Sequence, residues 1–168
     1  KVDMEYLNLF EEKYKINLSV IKSVIKSNEN RPLLLLKRVS VILKGKIKNK
    51  KICFLGVTFK ANTDDMRDSS SLKMIPFLAR KGAIINYYDP TGLKSEFTKY
   101  KNVFFSKDIK TAISDSDLII IHTDWNDFKS INFKPLVKNK KFAIFDLRNI
   151  YSSSKMKQLN IRYLSVGQ

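Results

Sequence analysis

The sequence predicts a three-layer α/β domain that is built on a parallel, doubly wound sheet and preceded by a helical segment. From about residue 50 onward, short apolar runs alternate with helix-like segments. This alternation is typical of parallel strands joined by crossover helices. The first third instead repeats its apolar residues at spacings of three and four, which is the period of a helix. A chain of 168 residues suits one domain with some appended structure.

Helices are expected up to residue 45. Apolar residues recur at helical spacing over 7–14 and again over 18–25. Pro32 has no backbone N–H, so we expect it to kink the helix or to start a new one. The apolar segment 33–43 continues the helical pattern, and Gly45 is expected to end it.

Strands and helices alternate over the remainder of the chain. Apolar runs that suit buried parallel strands cover 51–58, 83–88, 103–105, 118–122, 142–145 and 161–166. Helices are expected over 69–80, with Asp68 as a possible cap, from a cap at Asp108 to Ile113, and over 133–137. The carboxyl ends of parallel strands share one edge of the sheet, where ligands bind. The segments at this edge are rich in polar residues, and they are 58–67, 89–92, 123–125 and 146–149.

Composition narrows the classes of protein. The formal charge is +16, which fits nucleic acid, an anionic small molecule or simply a solvated lysine-rich surface. No apolar run approaches the roughly 20 residues of a membrane span.

The single cysteine cannot form an internal disulfide, so we expect a cytoplasmic protein. The single histidine argues against a zinc site. The chain lacks an initiating Met, so we expect a fragment or a processed product.

Familiar catalytic patterns do not occur. Gly56 is the only glycine near the end of the first predicted strand, where a dinucleotide turn needs three spaced glycines. His122 ends a strand without a recognised nucleophile arrangement, so a structural role is expected. Cys53 lies inside an apolar strand and is expected to be an inert core thiol.

The loop over 56–71 is the strongest candidate site. Lys60 and Arg67 both suit phosphate or carboxylate recognition. Asp64, Asp65 and Asp68 lie between and beside them, where they would orient or balance the cations. A salt-bridged surface loop is the alternative interpretation.

Several blocks of the sequence closely resemble, in order, the C-terminal domain of the UDP-glucose/GDP-mannose dehydrogenase family. They are Gly56–Ser71 with Ile75-Pro76 and Tyr88-Asp89-Pro90, Asp117–Ile121 with Thr123-Asp124-Trp125, Asp146–Tyr151, and Tyr163–Gly167. The helical first third, with Asn28-Glu29-Asn30-Arg31, resembles the family's long central helix. The amino-acid sequence of residues 62–67 favours the UDP-glucose branch of the family over its GDP-mannose or UDP-acetylmannosamine branches.

The resemblance implies roles for individual residues. Phe59 and Lys60 match residues that contact the UDP-sugar, and Arg148 matches an arginine of the substrate site. Arg67 matches an arginine that reaches NAD held by another domain. The family's glycine before that substrate arginine is Leu147 here.

The resemblance also implies that catalysis, NAD binding and UDP-sugar binding are carried by different parts of a family member. Family members oxidise the sugar C6 alcohol to a carboxylate in two NAD-dependent steps through a cysteine thioester. That cysteine and the NAD domain precede the central helix, so this chain is expected to carry no catalytic residue and to be inactive alone. Residues 1–48 would form a helical dimerisation segment of a homodimer, and 49–168 a Rossmann-like domain that binds UDP-glucose. A non-catalytic UDP-sugar-binding or complementing module is the alternative, and binding of nucleic acid would rest on charge only.

Overall fold

The computed structural model describes residues 4–167, which form helices and a single sheet. The helices are α1 (Met4–Tyr14), α2 (Ser19–Ile42), α3 (Ser71–Arg80), α4 (Ile109–Ile113), α5 (Phe133–Leu136) and α6 (Ser153–Gln158). The strands are β1 (Lys51–Leu55), β2 (Ile84–Tyr88), β3 (Val103–Phe105), β4 (Leu118–Ile121), β5 (Ala143–Asp146) and β6 (Arg162–Ser165). Each predicted strand is present, although β1 ends three residues earlier than expected.

All strand pairs are parallel, and the strand order is β3-β2-β1-β4-β5-β6. This order reverses direction between β1 and β4, where Leu55 pairs with Ile121 at the carboxyl ends. Ligands of doubly wound sheets bind in the crevice at such a reversal. The predicted α/β fold is therefore confirmed.

Apolar side chains from alternate strand positions pack on opposite faces of the sheet. On β1, Phe54 faces the layer of α2 and α3 together with Val39 and Leu78. Its neighbour Leu55 belongs to the opposite cluster, with Phe128 and residues of α4 and α6. The sheet is thus covered on both faces, which gives the predicted three layers.

Helix α2 continues through Pro32 for 24 residues, so no new helix begins there. Pro32 is itself buried, and Leu35 and Leu36 pack into the core one turn later. This packing holds the helix together across the missing N–H. As predicted, the helix ends before Gly45, which has a positive φ of 74° and donates its N–H to the Ser40 carbonyl over 2.8 Å.

Many apolar side chains of α1 and of the first half of α2 face outward. The most exposed are Tyr6, Leu9, Val20 and Val24, each with more than half of its surface accessible. Within residues 4–167, no helix combines the length and the apolar character that a membrane span requires.

Candidate functional site

A buried carboxylate positions the loop that leaves β1. Asp89 follows β2 and is 1% exposed. Its Oδ2 accepts hydrogen bonds from the backbone N–H groups of Val57, at 2.8 Å, and Thr58, at 3.3 Å. Its Oδ1 accepts from the N–H and the hydroxyl of Thr91. These contacts join the ends of β1 and β2 and direct the next residues toward the reversal point.

A second buried carboxylate, Asp146, shapes the loop after β5 in the same way. Its Oδ1 accepts the N–H of Arg148 at 2.9 Å. Its Oδ2 accepts the N–H of Ile150 and the hydroxyl of Tyr163, each at 2.9 Å. Burial raises the pKa of Tyr163, and its hydrogen bond to the Asp146 carboxylate and the charge of that carboxylate raise it further.

Arg148 bridges the loops after β1 and β4. Its Nε–H donates to the carbonyl oxygen of His122 over 2.8 Å, and a terminal N–H donates to the carbonyl of Phe59 over 2.9 Å. The residue as a whole remains exposed. Because the guanidinium has five N–H donors, several remain for a ligand.

His122 lies beneath Arg148 and is 2% exposed. Its Nε2 lies 2.8 Å from the Ser70 hydroxyl, and its Nδ1 lies 3.1 Å from the Thr123 hydroxyl. Burial, reinforced by the charge of Arg148, lowers the pKa of His122 to about 3. The imidazole is therefore neutral at ordinary pH.

These loops surround a cleft of about 820 Å³. It brings together Phe59, Lys60 and Arg148, the residues predicted to bind substrate. Phe59 leaves 48% of its surface exposed, and Lys60 is exposed beside it. The cleft thus offers an apolar ring and two cations, which suits a ligand with a ring and an anionic group.

The opposite wall of the cleft comes from helix α2. Asn28, Arg31 and Pro32 line it, about 30 residues before the loop that holds Lys60. Ser70 and His122 also line it. Reasoning from the sequence did not assign these residues to the site. Polarity at a strand end was an available signal for His122, and polarity at a helix start was one for Ser70, whereas the residues of α2 offered no such signal.

Comparison with known proteins assigns the chain to a family. Residues 53–153 match the model of the UDP binding domain of the UDP-glucose/GDP-mannose dehydrogenase family. The chain belongs to this family. The match runs from within β1 to the first residue of α6 and includes the cleft residues from Phe59 to Arg148.

Curated relatives extend beyond this chain. It is 35% identical to a UDP-glucose 6-dehydrogenase of Rickettsia felis, over 98% of this chain and 38% of the relative. A UDP-glucose 6-dehydrogenase of Rickettsia typhi is 37% identical over 98% of this chain and 39% of the relative. One of Rhizobium meliloti is 33% identical over 89% and 34%, respectively. The chain therefore spans less than two-fifths of the length of these relatives.

Solved structures support the fold. An NDP-N-acetyl-D-galactosaminuronic acid dehydrogenase from Methanosarcina mazei aligns with a TM-score of 0.81 at 19% identity, over 98% of this chain and 36% of that one. A UDP-glucose dehydrogenase from Pyrobaculum islandicum aligns with a TM-score of 0.68 at 22% identity, over 84% and 31%. The fold of this chain thus recurs in both of these solved structures.

Two sequence features of this family member have clear local outcomes. Leu147, at the position of the family's glycine, is 7% exposed and packs into the core cluster of Phe54 and Phe145. Asp68 does not cap α3, because its backbone has a left-handed φ of 59° and Ser70 is the N-cap residue. The hydroxyls of Ser69 and Ser71 instead both donate to the Val57 carbonyl over 2.6 Å, and so fix the loop before α3.

Arg67 lies outside the cleft lining. Its side chain is 89% exposed and forms a two-point contact with Asp65, with Nε–Oδ1 at 3.0 Å and a terminal nitrogen–Oδ2 at 2.9 Å. This hydrogen bonding lowers the pKa of Asp65 to about 2. Part of the loop therefore matches the salt-bridged surface interpretation, and the role of Arg67 toward a cofactor stays a prediction.

Neither a metal centre nor a reactive thiol emerges from the part of the chain that the structure describes. No group of three or more potential ligands comes together there to hold a metal ion. Cys53 is completely buried on β1, and burial raises the pKa of its thiol. A protonated, enclosed thiol is a poor nucleophile, in agreement with the prediction of an inert core residue.

Proposed function

We propose that this chain is the UDP-sugar-binding portion of a UDP-glucose 6-dehydrogenase, an enzyme that oxidises UDP-glucose to UDP-glucuronate with NAD. One observation supports this most strongly. Phe59, Lys60 and Arg148, which come from two separate loops, line one cleft at the reversal point of the sheet. The chain belongs to a family whose matching domain binds UDP, and its relatives in Rickettsia carry the dehydrogenase name.

In this proposal the two cations bind the diphosphate. Arg148 is held in place by the His122 and Phe59 carbonyls and offers its remaining N–H donors in a fixed orientation. Lys60 contributes a mobile point charge on the neighbouring loop. The exposed ring of Phe59 packs against a ring of the ligand.

NAD does not fit the turn after β1. A pyrophosphate would need free backbone N–H groups there, but those of Val57 and Thr58 already donate to Asp89. We therefore assign NAD to the portion of the longer relatives that this chain does not span. Arg67, exposed at the protein surface, would reach the cofactor from this side.

The chemistry is likewise assigned elsewhere. Cys53 is buried, and we place no catalytic residue in this chain. The chain alone is expected to bind substrate and to form no NADH. A binding or complementing module without its own activity is the alternative, and a buried lone Cys53 is compatible with either proposal. The lone thiol fits a reducing compartment, and we propose the cytoplasm.

We further propose that residues 1–48 form a helical dimerisation segment, separate in role from the UDP-sugar-binding domain of 49–168. The outward apolar side chains of α1 and α2, including Leu9, Val20 and Val24, support this division, because large exposed apolar surfaces mark interaction sites. Light scattering is expected to show a homodimer. A monodisperse monomer would contradict this assignment.

Calorimetric titration with UDP-glucose tests the function. Lys60→Ala and Arg148→Ala are each expected to weaken binding about tenfold or more, since charged hydrogen bonds contribute about 1.5–3 kcal/mol. Arg148→Lys keeps the charge and tests whether the fixed fork matters. Lys134→Ala and Arg80→Ala remove exposed cations outside the cleft lining and serve as matched controls.

The pattern of affinities decides between the interpretations. Binding that is weakened only by the cleft variants supports a preformed half-site for the UDP-sugar. Equal losses in the control variants would indicate attraction by the net charge of +16 alone. No saturable binding by the wild-type chain would contradict the proposal for this chain.

A further inference from the structure

The direction of one buried hydrogen-bond chain can be worked out from its fixed end. The hydroxyl of Thr123 lies 2.9 Å from the carbonyl oxygen of Thr58. A carbonyl oxygen only accepts hydrogen bonds. Thr123 therefore donates its single proton to Thr58 and can only accept from its other neighbours.

The next link fixes the tautomer of His122. Its Nδ1 lies 3.1 Å from the Thr123 hydroxyl oxygen. Because the Thr123 proton is already engaged, Nδ1 must carry the hydrogen of this contact. The neutral imidazole has only one ring proton, so its Nε2 carries none and acts as an acceptor.

The imidazole stays neutral because of its surroundings. Arg148 donates to the carbonyl of His122 itself, and its positive charge opposes protonation of the ring. Asp89 acts in the opposite direction but more weakly than burial and Arg148 do. The other charged residues that line the cleft are the cations Arg31, Lys60 and Lys73 and the carboxylates Glu29 and Asp68. Burial is the largest cause of the low pKa of His122, so the imidazole stays neutral at neutral pH, and the hydrogen bonds at its two nitrogens set the tautomer.

The last link reaches the cleft. Ser70 Oγ lies 2.8 Å from His122 Nε2, which bears no proton, so Ser70 donates. Ser70 has only this one hydroxyl proton. Its remaining lone pairs are free to accept, and the residue is half-buried in the lining of the cleft.

We propose that Ser70 is a specificity-determining residue that presents a hydrogen-bond acceptor to the ligand and selects a ligand O–H or N–H group at this point. The inference rests on the proposed function and deepens it. Lys60 and Arg148 recognise negative charge, whereas Ser70 recognises a neutral donor. UDP-glucose has such donors in its sugar and ribose hydroxyls and in the uracil N–H.

The arrangement gives discrimination because reversing it is costly. If Ser70 turned its proton toward a ligand acceptor, His122 Nε2 would lose its partner in a buried setting. Leaving a buried polar group without a partner is unfavourable. A ligand with an acceptor at this point would therefore bind more weakly than one with a donor.

The first test reads the tautomer directly. His122 is the only histidine of the chain, so protein labelled with ¹⁵N-histidine gives a single imidazole in two-dimensional NMR. We expect hydrogen on Nδ1 and a bare Nε2 from pH 5 to pH 8. Hydrogen on Nε2 would overturn the inference, because Ser70 would then accept from the ring and keep its own proton for the ligand.

The second test measures recognition. Ser70→Ala is expected to weaken UDP-glucose binding about three- to tenfold, the range of one neutral hydrogen bond. Ser70→Thr keeps the hydroxyl and is expected to bind better than Ser70→Ala. The same titrations use UDP-glucose analogues that each lack one donor, namely 2′-deoxy, N3-methyluracil and single deoxysugar forms.

A double-mutant cycle separates contact from indirect effects. The analogue that lacks the donor contacted by Ser70 should bind the wild-type chain more weakly than UDP-glucose does. With Ser70→Ala, the same analogue and UDP-glucose should bind equally well. This analogue identifies the ligand group whose hydrogen bond Ser70 accepts. If Ser70→Ala binds UDP-glucose as well as wild type while Lys60→Ala does not, the inference fails and the proposed function stands. If every analogue loses the same factor in both proteins, the inference also fails. If wild type does not bind UDP-glucose, the proposed function fails first.

Discussion

A Cβ atom on Gly56 would lie 2.4 Å from the Cβ of Thr123. Gly56 follows β1 and Thr123 lies just beyond β4, so this close approach occurs where the sheet reverses direction. Gly56 also has a backbone φ of 76°, which residues other than glycine rarely adopt. The base of the cleft thus depends on glycine for two independent reasons.

Gly56→Ala is expected to lower the free energy of unfolding by about 3 kcal/mol or more, because it combines a left-handed backbone with steric overlap against a buried side chain. Urea unfolding followed by circular dichroism measures the change. Gly92→Ala is the matched control, since Gly92 has a φ of 87° and nothing within 4 Å of its Cβ position. We expect a loss of about 1–2 kcal/mol there. Equal losses at the two positions would show that the contact with Thr123 is unimportant.

Folding stability should fall as the pH is lowered from 8 to 5. In the unfolded chain, His122 takes up a proton below about pH 6.5, whereas the folded chain holds its pKa at about 3. The unfolded state therefore binds more protons in this window, and stability is lost with decreasing pH. The expected loss from pH 8 to pH 5 is about 2 kcal/mol.

Urea unfolding at several pH values tests this slope. His122→Gln, which does not titrate, should show a much flatter dependence over the same window, whatever its absolute stability. Most carboxylates titrate below pH 5, so they contribute little. Parallel slopes for wild type and variant would mean that His122 is accessible to protons in the folded chain.

The contact between Arg67 and Asp65 should be visible as a titration shift. Hydrogen bonds from Arg67 hold the pKa of Asp65 at about 2, below its ordinary value of 3.8. Arg67→Ala is expected to return the Asp65 pKa toward that value, as followed by carboxyl ¹³C NMR. Arg80→Ala should leave it unchanged. Stability should hardly respond, because exposed ion pairs contribute little.

Cys53 should resist thiol reagents in the folded protein. Its burial is complete and raises the thiol pKa, so labelling at pH 8 requires the sheet to open. We expect the native chain to react only at the rate of unfolding and to react at once in denaturant. Ser95→Cys adds a thiol at an exposed position and should be labelled immediately. Rapid labelling of native Cys53 would contradict the burial of β1.

Features with local signals were predicted well. Apolar runs mark each strand, and Asp108 caps α4 as expected, accepting the Thr111 N–H over 2.7 Å. Helix α6 was missed, because Met156 is the only buried residue among its six and leaves no apolar period. Pro32 was expected to interrupt or bend its helix. Helix α2 instead continues through Pro32, because Pro32 and the residues of the next turn are buried against the core, and the local sequence does not show this burial.

The site was predicted in part. The loops after β1 and β5 were placed at the ligand edge because they follow the carboxyl ends of parallel strands. Phe59, Lys60 and Arg148, which the family resemblance singled out, do lie together there, and their roles in binding stay predictions. The wall from α2 could not be predicted, because it depends on how that helix crosses the sheet. The orientation of Ser70 was also beyond sequence reasoning, since it follows from a chain of contacts through His122.

Helix α2 connects two surfaces through one rigid element. Its later turns are anchored in the core by Leu35 and Val39, its earlier turns line the cleft through Arg31, and Val24 faces outward. A partner that covers the outer flank restrains the same helix that a ligand touches. By thermodynamic linkage, any strengthening of one binding event by the other must be reciprocal. The change in ligand affinity on assembly and the change in assembly affinity on ligand binding would then measure the same coupling free energy.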